Sequence, residues 1–314
     1  MSEYRVLLKS LGRETVLTSW ELLKITVPVV ILTKILEESG GIVCLSNLLE
    51  PVMGLVGLPG ALGIVWATAI LTSLYGAMAV FAVLSPDLHL SIGQTTVLCS
   101  LMLIAHSLPL ELSISRKAGA GFAVMGVLRL TGALFFGFVL NSIATFLHIW
   151  QEPASLLFKG RQRSLALAQW GVEQIWNLLL LVGVIFCIIV IMRLLRAAGI
   201  LALLEGFLAP VLPFLGMSRQ AAPLTVVGMV MGISYGGALI IREATSGRLE
   251  RMEIFNSLAL MGLSHSLVED TLLMMAMGAS LLGILWGRLL FSCIAIFFLV
   301  RVMKRWRGAG RACG

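Results

Sequence analysis

Four stretches of this chain, residues 16–36, 62–84, 130–149 and 175–192, are apolar over lengths that cross about 30 Å of hydrocarbon. Inside a bilayer every backbone N–H and C=O must be bonded within the protein, so only helices and closed barrels can span it. These runs lack the in–out alternation of barrel strands, which leaves helices. Composition agrees: 59% of residues are hydrophobic and 12% charged, against about 25% charged in a soluble domain. The chain therefore reads as an all-α polytopic membrane protein whose first partner is the lipid bilayer.

The formal charge of +7 gathers at loops and ends, above all at Arg301, Lys304, Arg305, Arg307 and Arg311. That is the bias of cytoplasmic segments, and no nucleic-acid partner is implied. Arg5, Lys9 and Arg13 place the N-terminus on the same side, so both termini are expected in the cytoplasm. No cleavable signal peptide is visible in the polar, basic opening residues. Cys44, Cys99, Cys187 and Cys293 lie in apolar runs and Cys313 in the tail, none at metal-ligand spacing; they read as small core residues.

The two halves match at an offset of 159 residues. It carries His106 to His265, Ser107 to Ser266, Leu108 to Leu267 and Glu111 to Asp270, so HSLPLE answers HSLVED. The same offset pairs Lys34 with Arg193, Gly40 with Gly199, Pro51 with Pro210, Gly57 with Gly216 and Arg129 with Arg288. One extra residue between Gly216 and Tyr235 pairs Tyr75-Gly76 with Tyr235-Gly236. Such self-similarity marks a tandem duplication.

The first copy reads as helices over 16–38, 42–58, 62–84, 94–114 and 122–150, and the second over 175–197, 200–217, 221–241, 254–277 and 281–302. This predicts about eight to ten membrane helices, broken or re-entrant segments included. In domain terms, 1–14 is a cytoplasmic segment, 15–150 the first membrane repeat, 151–171 a linker, 172–302 the second repeat and 303–314 a basic cytoplasmic tail. Arg242, Arg248 and Arg251 lie in a loop whose counterpart, 85–92, has no basic residue, while Arg116 and Lys117 lie in one whose counterpart near Gly278 has none. Complementary basic loops fit repeats inserted in opposite directions. Lys159, Arg161 and Arg163 of the linker dissent, and parallel repeats of four crossings each are the alternative.

The sharpest local signal is Gly262 to Thr271, where His265, Glu269 and Asp270 interrupt an apolar run. An ionisable group at the centre of a membrane helix costs roughly 2.5–3.5 kcal/mol on insertion scales, so three together need a compensating role. On a continuous helix His265 and Glu269, and likewise Ser266 and Asp270, share a face at i, i+4. With His106 and Ser107 they would meet near the midplane, where inverted-repeat carriers bind substrate. The competing reading is interhelical glue, and Glu111 would then be interfacial. Ser234-Tyr235-Gly236-Gly237 can unwind and offer backbone to a ligand, although Gly228, Gly232 and Gly236 also form a small-residue packing ridge. Arg129 and Arg288 would neutralise carboxylates or snorkel.

The expected substrate-binding set is thus His106, Ser107, Ser234, Tyr235, Gly236, Gly237, His265, Ser266, Glu269 and Asp270. A divalent metal held by His265, Glu269 and His106 is the alternative. No P-loop, dinucleotide fingerprint, GxSxG or zincin helix is present, so no enzyme activity and no cofactor is expected beyond a coupling H+ or Na+.

The run from Gly232 through Arg242-Glu243 and Ser246-Gly247-Arg248 to His265-Ser266-Leu267-Val268-Glu269-Asp270-Thr271 resembles the nucleoside-recognition, or Gate, domain family of bacterial membrane proteins. That family includes spore-maturation membrane proteins and is similar to segments of concentrative nucleoside transporters and of ferrous-iron transporters. The likeness is best over 221–279 and recurs weakly over 62–112. It implies a permease-like fold with internal repeats in a bacterial inner membrane and does not fix the solute; the expected function is a secondary carrier of a small polar solute, nucleoside-like or other, alone, as a homo-oligomer or with a partner membrane subunit. Divalent metal transport, or a non-transporting assembly role, are the other readings.

Overall fold

The structure is a computed structural model that describes residues 2–85, 88–155, 167–199, 203, 206–207 and 209–312. Lys159, Arg161 and Arg163 of the expected linker, Cys313 and much of the 200–208 segment lie outside the described residues. Among the described residues all regular structure is helical, with one isolated bridge between Ser91 and Pro153.

The first repeat contains α1 (Ser2–Glu38), α2 (Gly41–Gly54), α3 (Ala61–Leu71), α4 (Leu74–Leu84), α5 (Ile92–Ile104), α6 (Leu108–Lys117) and α7 (Phe122–Phe146). The second contains α8 (Leu167–Ala197), α9 (Ala222–Met231), α10 (Ile233–Thr245), α11 (Arg251–Leu263), α12 (Glu269–Ala276) and α13 (Arg288–Ala312), the last entered through a π turn at Leu282–Gly287. Among the described residues four spans are long and apolar enough to cross a membrane: Ile92–Lys117, Phe122–Phe146, Gln169–Leu195 and Leu282–Met303. Large apolar side chains such as Phe135, Phe138, Trp176, Leu179, Trp286 and Phe298 point outward from these helices. That exposure suits lipid as the surrounding solvent.

The duplication is written into the backbone. Left-handed φ values occur at four pairs related by the repeat offset: Gly40 and Gly199, Gly57 and Gly216, Ser107 and Ser266, Gly119 and Gly278. Gly57 packs against Asn141 and Gly216 against Val300, again equivalent positions. Helices α5 and α11 both open with reciprocal capping boxes, Ser91 with Gln94 and Glu250 with Glu253. Each box satisfies two of the orphan N–H groups at a helix start.

Several boundaries depart from the sequence reading. Helix α1 runs back to Ser2, and α13 carries on through the basic tail to Ala312, because Lys and Arg are good helix formers and neither extension holds a proline, although Gly12, Gly308 and Gly310 weaken these extensions. Helix α7 ends at Phe146, with His148 and Trp150 at positive φ. Cys99 is buried as expected of a core residue, whereas Cys44 and Cys187 lie on outward faces.

The larger correction concerns the helix carrying the His-Ser motif, expected to be continuous. It is broken in both copies: α5 ends at Ile104 and α6 begins at Leu108, and α11 ends at Leu263 and α12 begins at Glu269. A serine at φ 48°, Ser107 or Ser266, makes each break. The preceding helix is broken too, at Thr72-Ser73 between α3 and α4 and at Gly232 between α9 and α10. The expected unwinding at Ser234 to Gly237 therefore falls earlier, and those four residues lie inside α10. Gly232 has φ 86° and ψ 159°, a region open essentially to glycine alone.

The breaks are stitched to one another. Ser107 N–H donates to Ala69 O at 2.8 Å, and in the second repeat Leu267 N–H, one residue beyond the equivalent Ser266, donates to Met229 O at 2.8 Å. The repeats also interlock reciprocally: α11 packs on α7, and α5 on the π turn before α13. Phe136 of α7 stacks on Phe291 of α13 with ring centroids 4.8 Å apart. This pattern is that of a pseudo-two-fold relation, and its centre lies at the two His-Ser breaks.

Candidate functional site

Each broken helix brings a histidine to the same point. His106 Nδ1 lies 2.9 Å from Met102 O, and His265 Nδ1 lies 2.9 Å from Met261 O. A carbonyl can only accept, so each Nδ1 carries the proton and donates it. In the neutral ring that leaves Nε2 as an acceptor. The two Nε2 atoms face each other at 3.3 Å, with ring centroids 4.8 Å apart.

Two carboxylates complete the cluster. Glu111 Oε1 is 3.3 Å from His265 Nε2 and 3.8 Å from His106 Nε2, and Asp270 Oδ2 is 3.6 Å from His106 Nε2. Both sit in the first turn of a short helix, α6 or α12, where the partial positive charge of the helix end favours a carboxylate. Glu111 is 1% exposed, which corrects the interfacial position considered for it. Its repeat equivalence to Asp270 is the sequence signal that marks it.

Arg129, 1% exposed, holds the first break closed. Its Nε donates to Ile104 O at 2.8 Å, Nη2 to His106 O at 3.1 Å, and Nη1 to Glu111 Oε2. These bonds satisfy carbonyls freed by the end of α5 and neutralise Glu111, which matters where no water is at hand. Ser107 Oγ adds a bond to Thr72 O at 2.9 Å. The corresponding Arg288 is 0% exposed, and none of its three guanidinium nitrogens has a hydrogen-bond partner among the described residues. Asp270 Oδ2 and Thr271 Oγ1 are likewise buried without a hydrogen bond.

Of the residues expected at the site, His106, His265 and Asp270 converge, and with their ligand atoms within 4.8 Å of one another they are a group able to hold a metal ion. Glu269 stands apart from that group. Its Oε1 accepts from Tyr75 Oη at 3.1 Å, an interaction between repeats. The i, i+4 face shared by His265 and Glu269 does not form, because the chain between them is the break itself. Ser107 and Ser266 serve as the turn residues. Ser234 Oγ donates to Glu111 Oε1 at 3.1 Å from an exposed position on α10. Gly237 lies against Ile114 of α6, where a β-carbon would collide, so it acts in packing; Gly236 is buried beside it. The side chain of Tyr235 lies outside the described residues. Glu111, Tyr75 and Arg129 are the members that the expected set lacked.

With this geometry in view, the chain is similar over most of its length to an uncharacterized membrane protein, YvoD, of Bacillus subtilis (strain 168). They share 25% identity over 296 residues, covering 92% of this chain and 93% of that relative. The chain is a polytopic membrane protein. No family model matches it, and no solved structure matches it.

Proposed function

We propose that this protein is a secondary carrier for a small polar or charged solute, held between the two repeats and released to either side as they move against each other. The observation that carries this reading is the meeting of four buried ionisable side chains, two from each repeat, at the breaks of facing helices. Ionisable groups in a membrane interior are costly and mark solute or ion paths. Discontinuous helices from paired repeats, meeting at depth, are the arrangement in which carriers expose backbone and charge to a solute. The reciprocal packing of the repeats fits a pseudo-two-fold pair of either orientation, and the complementary basic loops favour the inverted one.

The resemblance to the nucleoside-recognition family favours a nucleoside-like solute with a coupling H+ or Na+ in a bacterial inner membrane. Ser234, Tyr75 and Glu269 would then supply hydrogen bonds beside the histidines. The mixed nitrogen and oxygen donor set favours a divalent metal as cargo.

Reconstitution into proteoliposomes tests the carrier reading. Uptake of labelled nucleosides and of manganese or zinc is measured with and without a proton or sodium gradient. A saturable flux that falls at least about tenfold in Glu111→Gln is expected, as one transition-specific interaction of 1.4 kcal/mol already gives that factor. Absence of flux with every solute, while Glu111→Gln inserts and melts as the parent does, would leave a membrane assembly protein whose polar helices only pack.

A further inference from the structure

We infer that the solute held at the centre is a divalent first-row transition-metal ion, bound by His106 Nε2, His265 Nε2, Asp270 Oδ2 and Glu111 Oε1. As cargo, this ion rests on the carrier reading above; as a binding site, it stands on geometry alone.

Four acceptor atoms converge, and among the described residues the one hydrogen-bond donor to any of them is Ser234 Oγ, at 3.1 Å from Glu111 Oε1. Both Nδ1 atoms are committed as donors to Met102 O and Met261 O, so both Nε2 lone pairs face inward, 3.3 Å apart. Asp270 Oδ2 is buried beside them without a hydrogen bond, and its side chain is 10% exposed. Lone pairs pressed together in this way repel unless a positive centre lies between them. A single proton can bridge one pair of the four. One metal ion serves all four at once.

The spacing discriminates further. Bonds of about 2.0–2.2 Å from a tetrahedral ion to imidazole nitrogen and carboxylate oxygen imply ligand-to-ligand edges of about 3.3–3.6 Å. Four of the six edges are 3.3, 3.3, 3.6 and 3.8 Å; the ligand atoms of His106, His265 and Asp270 lie within 4.8 Å of one another, so Asp270 has to move inward to close the tetrahedron. No organic group fits between atoms so close, which places a nucleoside outside this cluster. Two imidazoles with two carboxylates suit zinc, iron, cobalt or manganese better than the all-oxygen cations calcium and magnesium. The backbone carbonyls that fix both rings are the outer-shell partners that metal-bound histidines use.

Charge is set for release as well as for binding. Arg129 cancels Glu111, and the buried Arg288 interacts electrostatically with Asp270. With both histidines neutral the four ligands are therefore not left with an uncompensated double negative charge. An ion held there is bound less tightly than in a structural site, as transport requires.

Purified full-length protein is titrated with cobalt and with zinc under equilibrium dialysis, and the visible spectrum of the cobalt form is recorded. One ion per chain, the intense visible bands of tetrahedral cobalt, and at least about tenfold weaker binding in Asp270→Asn and in His265→Gln are expected. Glu243→Gln, at the half-buried end of α10 where Glu243 pairs with Arg248, should bind as the parent does. Failure of the parent to retain cobalt or zinc overturns the site, as does retention that Asp270→Asn and His265→Gln both leave unchanged. The spectrum of the parent decides the geometry even if a variant fails to fold, and an octahedral spectrum would overturn the four-ligand assignment. Flux of an organic solute without metal binding would sink the metal site and spare the carrier. Stoichiometric metal without flux would do the reverse.

Discussion

The two repeats carry the same buried arginine at the same position, and the two arginines do different things. Arg129 spends all its bonding capacity at the first break, on Ile104 O, His106 O and Glu111. Arg288, equally buried, makes none of the corresponding bonds to Leu263 O, His265 O or Asp270. The gap between half-helices is correspondingly short in the first repeat, 105–107, and longer in the second, 264–268. One sequence framework thus supports a latched and an unlatched break. In a carrier with pseudo-symmetric halves, exchange of these two conditions is what moving from one side to the other would mean.

The most severe way to break this comparison is Arg129→Met. It removes a hydrogen-bonded buried cation and strands Glu111, which should cost about 3–5 kcal/mol. Arg288→Met should cost clearly less, since no hydrogen bond is lost; thermal midpoints of the two variants in detergent give the ordering. Equal losses would mean that the arginines are latched alike.

Gly232→Ala comes next. At φ 86° and ψ 159°, facing Ser266, an alanine should cost about 1–3 kcal/mol. The equivalent break of the first repeat is built without a glycine, so Thr72→Ala should be mild there. Ser73→Ala is expected to lose about 1 kcal/mol, because Ser73 Oγ accepts from Gly76 N–H as the cap of α4. The smallest effects belong to the capping boxes. Gln94→Ala and Glu253→Ala should each lower stability by about 0.5–1 kcal/mol, with Glu253 the larger because its further bond, from Ser218 N–H at 2.8 Å, is charge-assisted and shorter than the 3.4 Å bond from Gln94 Nε2 to Gly57 O. Chemical denaturation of the pair resolves that order.

Much of the site was legible in the residues because burial of charge in a membrane leaves few explanations. His106 and His265 stood out as a pair through the repeat offset, and Asp270 through its place in an apolar run. Glu111 was harder to read, since a carboxylate five residues before Arg116, at the start of a basic loop, is as readily interfacial. It is drawn inward by Arg129, which lies on the following helix. Glu269 was read together with His265 from helical periodicity. That periodicity fails where Ser266 turns the chain to φ 48°.

What the sequence by itself determined is the solvent, the class of structure and the internal symmetry. Apolar length forces helices in a bilayer, and a duplicated set of unusual residues forces equivalent positions. Only the tertiary structure decided where those helices stop and which acceptors face one another. A helix breaks at depth only if its freed carbonyls and N–H groups find partners, and those partners, Ala69, Met229, Thr72 and Arg129, sit on other helices. Local preference says nothing of such partners, so the breaks, and the four-acceptor centre they create, exist only once the two repeats are packed together.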